Sequence, residues 1–377
     1  MTATAIDPVA LTCDLLRIDT INPPGNEIAC ARLLGERLER AGFAVSYHEY
    51  APGRATLVAR IGGGADFKPL GMTGHLDIVP LGTAAWSHDP FAAEIDGDRL
   101  YGRGSSDMKS GVAAMVAAAI ERSDDLRRSR GLVLILTAGE ETGCDGAFHL
   151  VRSRGFDQPL GALLVAEPTA NQPMAGHKGA LWLRALTSGV TAHGSMPDQG
   201  VNAIYPLAGA IAKLQEFSFD STPHPVMGSP TLNVGTFRGG LNINSVPDAA
   251  VAEIDLRTVS GMRHDALFES VGRYLGSAIR LERMIDLESV YTDPSDPWLA
   301  RACEIAAEVT GDRERPKTMM YFTDASALTP ALGHPPTLIL GPGEPTMAHK
   351  TDEYCRVSRV AEAAEIYRRM IGEWCRG

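Results

Sequence analysis

The sequence lacks an excess of basic residues. It has 46 Asp and Glu against 35 Lys and Arg, which gives a formal net charge of −11. A protein that binds nucleic acid needs clustered basic side chains to contact the phosphates. The negative balance therefore argues against a nucleic-acid partner.

The sequence also lacks the segments that carry a chain into or across a membrane. Its longest apolar run, Val112–Ile120, is about half of the ~20 residues that a membrane span needs. The first residues, Met1–Pro8, have neither the basic nor the apolar region of a signal peptide. We expect a soluble, cytoplasmic protein with no membrane partner.

None of the six cysteines belongs to a Cys-x-x-Cys pair, which excludes a zinc ribbon and a thioredoxin-like motif. Scattered cysteines in a cytosolic protein are most often reduced thiols. They are Cys13, Cys30, Cys144, Cys303, Cys355 and Cys375.

The apolar segments that are present predict an α/β fold. Gly131–Ala138 and Ala162–Ala166 are unbroken apolar runs of strand length, typical of parallel strands covered on both faces. Gly111–Ile120 is apolar nearly all round and predicts an inner helix. Strands alternating with helices indicate a doubly wound, mostly parallel sheet.

The pattern changes after about Lys178. Between residues 179 and 290 the predicted order is β-α-β-β-α-β, which is the split βαβ (ferredoxin-like) arrangement. A chain of 377 residues with 44% hydrophobic residues is long enough for two domains. We therefore predict a catalytic domain of residues 1–178 and 291–377, and a smaller inserted domain of residues 179–290.

Acidic and histidine residues follow the predicted strands where each strand ends. Open α/β sheets build their sites at the carboxyl ends of strands, and carboxylates and imidazoles are ligands for divalent metals. The sequence therefore predicts a two-metal hydrolase. The candidates are His75, Asp107, Glu140, Glu141, Glu167 and, far downstream, His349.

The residue types and their spacing suggest a chemical role for each candidate. In His75-Leu76-Asp77, the carboxylate could bind the second N–H of a metal-ligating imidazole and fix its tautomer. Asp107 could bridge two cations, or it could cap the helix that follows. Of the adjacent acids Glu140 and Glu141, one could ligate metal while the other serves as general base. The alternative places both acids in the first turn of a helix.

These motifs resemble a di-zinc peptidase family, and the similarity runs in order along essentially the whole chain. The family includes acetylornithine deacetylase, succinyl-diaminopimelate desuccinylase, aminoacylase and carboxypeptidase G. The motifs are Gly74-His75-Leu76-Asp77, Arg103-Gly104-Ser105-Ser106-Asp107-Met108, Gly139-Glu140-Glu141, Glu167-Pro168-Thr169, Ala192-His193-Gly194-Ser195 and His349-Lys350-Thr351-Asp352-Glu353.

The resemblance implies a role for each residue at the strand ends. Asp107 would bridge two divalent ions, most simply Zn²⁺, with Co²⁺ or Mn²⁺ also compatible. Asp77 would orient the first histidine, and Glu140 would activate the bridging water and later protonate the leaving amine. The Asp107–Met108 peptide bond would be cis. The ligands completing the two metal shells would be His75 with Glu167, and Glu141 with His349.

The inserted domain resembles the family's lid and dimerisation domain, which implies a homodimer. His193 would reach the partner subunit's site and stabilise the oxyanion, as a donor aimed at developing charge does. Asn244 and Arg257 match positions that bind the substrate's carboxylate, although Arg257 could instead form an ion pair on its strand. Thr323 lies in a segment where relatives contact substrate.

Three functions are compatible with these residues. The first is removal of an acyl group from a small N-acyl amino acid, as in acetylornithine deacetylase. The second is cleavage of small peptides by a carboxypeptidase or dipeptidase. The third is a metal-free binding protein that has kept the fold. Amide hydrolysis uses the same water and base in the first two cases, so the metal-site residues do not separate them.

Overall fold

The computed structural model describes residues 6–64 and 67–376, which divide into two compact units. The first unit contains the chain up to Gly176, Tyr291–Thr318 and the chain from Thr323 onward. The second contains His177–Val290 and Met319–Phe322. The predicted boundaries placed residues 319–322 in the catalytic domain, whereas here they belong to the second unit.

The described residues of the two units form the following helices and strands. The helices are α1 (Pro8–Leu16), α2 (Glu27–Arg40), α3 (Ser110–Glu121), α4 (Ser123–Leu126), α5 (Asp145–Arg152), α6 (Ile204–Lys213), α7 (His264–Leu275), α8 (Pro297–Thr310), α9 (Ala325–Ala331) and α10 (Val357–Arg376). The strands are β1 (Ala44–Ala51), β2 (Arg54–Ile61), β3 (Leu70–His75), β4 (Ile95–Asp96), β5 (Arg99–Tyr101), β6 (Leu132–Thr137), β7 (Ala162–Val165), β8 (Met174–His177), β9 (Gly179–Ser188), β10 (Thr231–Gly239), β11 (Ala249–Thr258), β12 (Arg280–Leu287), β13 (Val290–Tyr291), β14 (Lys317–Met319), β15 (Thr337–Ile339) and β16 (Tyr354–Arg356).

The main sheet of the first unit is mostly parallel at its centre, which confirms the predicted fold class. Its strand order begins β1-β2-β6-β3-β7-β15-β8. Strands β6, β3, β7 and β15 run parallel, whereas β1, β2 and β8 pair antiparallel with their neighbours. Parallel neighbours such as β3 and β7 cannot be joined by a tight turn, and the helices that lie between them in sequence supply the crossover connections.

Both faces of this sheet are buried. Leu132, Leu134 and Leu136 of β6 join a core that includes α1, α2, α3, α8 and α10. Val133 and Ile135, which point to the opposite face because side chains alternate along a strand, are also buried. Full burial on two faces explains why β6 is an unbroken apolar run.

Helix α3 is the inner helix predicted from its composition. Every residue from Ser110 to Ile120 is buried. It packs against α1 and α10, and small alanine side chains allow this close approach on several sides. No helix among the described residues combines the length and apolar character needed to cross a bilayer.

The central strands end together at one edge of the sheet. His75, the last residue of β3, is paired in register with Thr137, the last residue of β6. Thr73 of β3 is likewise paired with Val165, the last residue of β7. Because these strands are parallel, the residues that follow them emerge at the same edge, and Glu167 is two positions beyond Val165.

The second unit contains a four-stranded antiparallel sheet with the order β10-β11-β9-β12. With α6 and α7 the chain order is β9-α6-β10-β11-α7-β12, which is that of the split βαβ arrangement. Strand β11 alternates between buried and half-exposed residues. The buried face packs with both helices, as Ile254, Leu207 and Val271 illustrate.

Several short elements were not predicted from the sequence. Strands β4, β5 and β16 form a separate three-stranded sheet, in which Tyr101 pairs with Tyr354. Helices α5 and α9 pack against each other. These elements are two to eight residues long, too short for an apolar period to be visible.

His177, at the end of β8, gives a prediction about stability. It is fully buried, its Nδ1 donates to the Lys178 carbonyl, and its Nε2 has no hydrogen-bond partner. Burial lowers the pKa of His177 from 6.5 to about 4, against the opposing effect of that hydrogen bond. As pH falls, the unfolded chain takes up the proton first. The contribution of His177 to the free energy of unfolding is therefore complete above about pH 6.5 and is lost progressively toward pH 4.

We expect the protein to lose about 2 kcal/mol of stability through His177 between pH 7.5 and pH 5. His177→Asn keeps a donor for the Lys178 carbonyl but does not titrate in this range. Urea unfolding of both proteins at the two pH values measures the difference, and all other titrating groups cancel. An identical pH dependence in the variant would contradict the assignment.

Candidate active site

The carboxyl edge of the main sheet gathers the acidic and histidine residues predicted from the sequence. His75, Asp107 and Glu141 each place one ligand atom within 4.8 Å of the others. His75 ends β3, Asp107 lies in the short turn Ser105–Lys109 before α3, and Glu141 follows β6. The Asp107–Met108 peptide bond is cis, as the resemblance implies.

His75 presents a lone pair to this cluster. Its Nδ1 lies 2.9 Å from the backbone carbonyl of Asp77, and a carbonyl only accepts, so Nδ1 carries the hydrogen. In the neutral imidazole Nε2 is then an acceptor, yet it lies 3.1 Å from Asp107 Oδ1 and 3.9 Å from Glu167 Oε1. Acceptors that face each other in this way require a proton or a cation between them.

Asp107 faces two histidines with different oxygens. Oδ1 is directed to His75, while Oδ2 lies 3.5 Å from Nε2 of His349. Burial alone would raise the pKa of Asp107, but the hydrogen bonds and charges of His349 and His75 outweigh it and hold that pKa well below its usual range. A carboxylate with one oxygen on each side has the geometry of a bridging ligand.

His349 approaches the cluster from the turn before β16. Its Nε2 lies 3.1 Å from Glu141 Oε2 and 3.2 Å from Oε1. Hydrogen bonds to Asp107 and Glu141 raise the pKa of His349 to about 10. Its side chain remains 55% exposed, so this part of the cluster opens toward solvent.

The backbone of Glu140 and Glu141 is held by Asp77. The amides of Glu140 and Glu141 donate to Asp77 Oδ1 and Oδ2 at 3.1 and 3.2 Å, and Asn22 Nδ2 donates to Oδ2 at 2.8 Å. The Asp77 carboxylate also lies 3.6 Å from His75 Nδ1, and the backbone carbonyl of Asp77 is the nearer acceptor at 2.9 Å. Asp77 thus positions the two acids as well as lying beside the histidine.

The acids around His75 repel one another in a buried space. Burial, followed by the charge of Glu167, raises the pKa of Glu140. Burial and the charge of Asp107 raise the pKa of both Glu141 and Glu167. Carboxylates whose ionised forms are disfavoured by burial and by each other are stabilised by a nearby cation. With two imidazoles, this donor set fits divalent metal ions.

The helical alternatives for these acids are not observed. Helix α3 begins at Ser110 without a side-chain hydrogen bond at its cap, so Asp107 does not cap it. Helix α5 begins at Asp145, which leaves Glu140 and Glu141 outside its first turn. Glu140 and Glu141 are placed by the end of β6 at the sheet edge and by the hydrogen bonds from their amides to Asp77.

Four buried residues around the site were not assigned a role from the sequence. Asn22 holds Asp77, Glu353 accepts hydrogen bonds from the loop that carries Asp107, and Thr137 Oγ1 makes a short hydrogen bond to Asp324 Oδ2. Burial raises the pKa of Asp324 to about 6, against the hydrogen bond from Thr137. The only available sequence signal was that Glu353 follows His349 by four positions, and spacing alone does not give a contact.

The predicted substrate contacts occupy distinct places. Thr323, in the first unit, has no exposed surface, and its Oγ1 accepts from the Ala325 amide at the start of α9. Its contact with substrate stays a prediction. Arg257, in the second unit, is paired with Asp255 at 2.9 Å, which is the strand-face ion pair of the alternative interpretation. Asn244 is exposed, and its carbonyl accepts from the Gly194 amide at 2.7 Å.

His193, also in the second unit, is exposed and has a defined tautomer. The Ser195 amide donates to His193 Nδ1 at 3.2 Å, so this nitrogen is an acceptor. The hydrogen of the neutral ring is therefore on Nε2. An exposed N–H donor is what stabilisation of an oxyanion requires.

Comparison with known proteins gives consistent matches along the chain. The model of peptidase family M20/M25/M40 matches residues 71–373. The succinyl-diaminopimelate desuccinylase of Cereibacter sphaeroides is 33% identical over 98% of this chain and 99% of its own. The acetylornithine deacetylase of Vibrio cholerae is 29% identical over 93% of this chain and 92% of its own.

A solved structure has the same fold. The M20 family metallo-carboxypeptidase Sso-CP2 from Sulfolobus solfataricus superposes with a TM-score of 0.79, covering 99% of this chain and all of that one. Its sequence is 19% identical, so this likeness concerns the fold alone.

Asp77→Asn tests the positioning of the two acids. An amide offers one acceptor oxygen where the carboxylate offers two, so it cannot accept from both backbone amides and Asn22 in the same way. We expect about 10- to 100-fold weaker binding of divalent metal, measured by competition with a chelator. Asp14→Asn, which breaks a surface pair with Arg37, is the matched control. Unchanged affinity in Asp77→Asn would contradict this role.

Proposed function

Because the chain belongs to peptidase family M20/M25/M40 and is therefore a metal-dependent hydrolase of amide bonds, we propose that it removes the acyl group from a small N-acyl amino acid. The hydrolytic part of this proposal rests on Asp107, whose two oxygens face His75 and His349 separately. Relatives named for deacylation cover nearly the whole chain, which supports a deacylase over a peptidase.

We assign the protein two divalent cations, most simply Zn²⁺. His75 and Glu167 would hold one, Glu141 and His349 the other, and Asp107 both. When bound, such ions polarise an amide carbonyl and lower the pKa of a water molecule toward neutrality. Mixed imidazole and carboxylate ligands suit zinc, and also accept cobalt or manganese.

Glu140 is the proposed general base. It is 5% exposed, its backbone amide is held by Asp77, and its carboxylate interacts electrostatically with Glu167, His75 and Glu141. The attacking water gives its proton to Glu140 as its oxygen bonds to the amide carbon. Glu140 then passes the proton to the amide nitrogen as the C–N bond breaks, which releases a carboxylic acid and an amine.

His193 is the proposed oxyanion donor, supplied by the partner subunit of a homodimer. Its hydrogen on Nε2 supports this role. Large apolar side chains exposed in the same unit support a dimer, because exposed apolar surface is a feature of protein–protein contact sites. Leu241 is 96% exposed, Ile243 101% and Tyr205 75%.

A cytoplasmic location belongs to the same proposal. The six cysteines are free, which suits a reducing compartment. The substrate would be a small molecule, with neither nucleic acid nor membrane as partner.

A panel of substrates separates the deacylase from a carboxypeptidase or dipeptidase. N-acetyl, N-succinyl and N-formyl amino acids and dipeptides should be compared by kcat/KM on the metal-loaded protein. We expect an N-acyl amino acid to give the highest value. Preference for dipeptides would favour the peptidase, and purified protein that takes up less than one metal per chain would favour a metal-free binding protein.

Glu140→Gln should retain both metals but lose turnover. The amide cannot accept the proton from water, and loss of a general base costs about 10²- to 10⁴-fold in kcat. Metal content is measured on the same samples by elemental analysis. Glu373→Gln, which alters a surface pair with Arg301, is the control. A kcat within a few-fold of the parent would exclude Glu140 as the base.

Co-expression of two inactive variants tests whether His193 acts between subunits. His193→Ala should lower kcat about 10²- to 10³-fold with full metal content. In a mixed dimer with Glu140→Gln, one site would combine an intact Glu140 with an intact His193. We expect recovery of about a quarter of parental activity from random two-fold pairing. If His193 acts within its own subunit, no activity returns.

A further inference from the structure

Glu353 accepts hydrogen bonds from four donors on the segment that carries Asp107. Its Oε1 accepts from the Ser106 amide at 2.8 Å and from the Asp107 amide at 3.0 Å. Its Oε2 accepts from Arg103 Nη1 at 2.6 Å and from the Gly104 amide at 3.1 Å. The side chain has no exposed surface, so none of these bonds competes with water.

All four partners of Glu353 are donors, which only an ionised carboxylate can satisfy. An amide or a protonated acid would turn one oxygen into a donor facing another donor. Arg103 is also buried and donates further to the carbonyls of Lys350 and Pro80. The contact therefore joins two segments remote in sequence through a fixed and directional set of bonds.

The neighbouring acid, Asp352, is directed to a different segment. Its Oδ1 accepts from the amides of Ser87 and His88 at 2.7 and 3.3 Å. Asp352 and His349 both have positive φ, 55° and 62°, a conformation that non-glycine residues adopt when surrounding contacts hold it. The two acids anchor the C-terminal end of the turn that carries His349 to two different segments.

The two proposed metal positions are therefore supported in different ways. His75 is 1% exposed at the end of a buried parallel strand, so the core fixes it. The side chain of His349 is 55% exposed and lies in a turn. Burial does not fix its position, and the Glu353 carboxylate contributes four of the hydrogen bonds that relate its turn to the loop of Asp107.

We propose that Glu353 is a positioning residue that sets the separation of Asp107 and His349, and thereby the affinity of the cation between Asp107, Glu141 and His349. This rests on the proposed two-cation function. The cation on the side of His75 and Glu167 shares Asp107, but its other two ligands are held at the ends of strands β3 and β7, so its affinity should depend on Glu353 much less.

Zn²⁺ titration of metal-free protein against a competing chelator tests this asymmetry. We expect the parent protein to bind two ions per chain. Glu353→Gln should bind one of them within a few-fold of the parental affinity and the other about 10- to 100-fold more weakly, the range found when partners of metal ligands are replaced. Glu373→Gln, which also removes a carboxylate partner of an arginine, should bind both as the parent does.

The possible results distinguish failure of the role proposed for Glu353 from failure of the proposed two-cation function. If the parent binds no metal, the proposed function fails. If the parent binds two ions and Glu353→Gln binds both equally tightly, even with a lowered melting temperature, Glu353 is merely structural and the inference fails. Equal weakening of both ions also overturns it.

Glu353→Asp provides the same test if Glu353→Gln does not fold. It keeps the charge and the pair with Arg103, but its shorter side chain cannot also reach the amides of Ser106 and Asp107. Selective weakening of one ion is again expected. Parental affinity for both ions would overturn the proposal.

Discussion

The site depends on the mutual repulsion of carboxylates held in a space with little water. Asp107, Glu140, Glu141 and Glu167 approach His75 closely enough to shift one another's pKa values. Packing of the sheet forces this proximity, and burial removes the solvent that would screen it. A cation relieves the repulsion, so the same arrangement that is unfavourable in the metal-free chain provides affinity for a divalent ion.

Two acids that are not proposed as ligands organise those that are. Asp77 holds the backbone of Glu140 and Glu141, and Glu353 holds the backbone of Ser106 and Asp107. In both cases a buried carboxylate accepts from main-chain amides, which fixes the direction in which the following side chains project. The positions of the site residues are therefore set through their backbone amides. The acids that hold these amides are not among the residues that would bind metal.

The sequence was most informative where chemistry and burial coincide. The apolar run of β6 predicted a strand buried on both faces, and the acids after it were predicted to lie at its end, because a charged residue cannot continue such a run. His75, Asp107, Glu141 and His349 are brought together. The Asp77 carboxylate lies beside His75, but the nearer acceptor for the imidazole is the Asp77 backbone carbonyl, which no residue pattern encodes.

The sequence by itself determined the family, the alternation of the longer strands and helices, and the residue types available to bind metal and transfer protons. These follow from local periodicity and from motifs whose residues are near neighbours in the chain. Only the tertiary structure decided that Glu353 anchors the loop of Asp107, that Arg257 pairs with Asp255, and that Thr323 is buried. Such contacts depend on side-chain direction and on backbone amides, which are the same for every residue type and so leave no trace in the order of the residues.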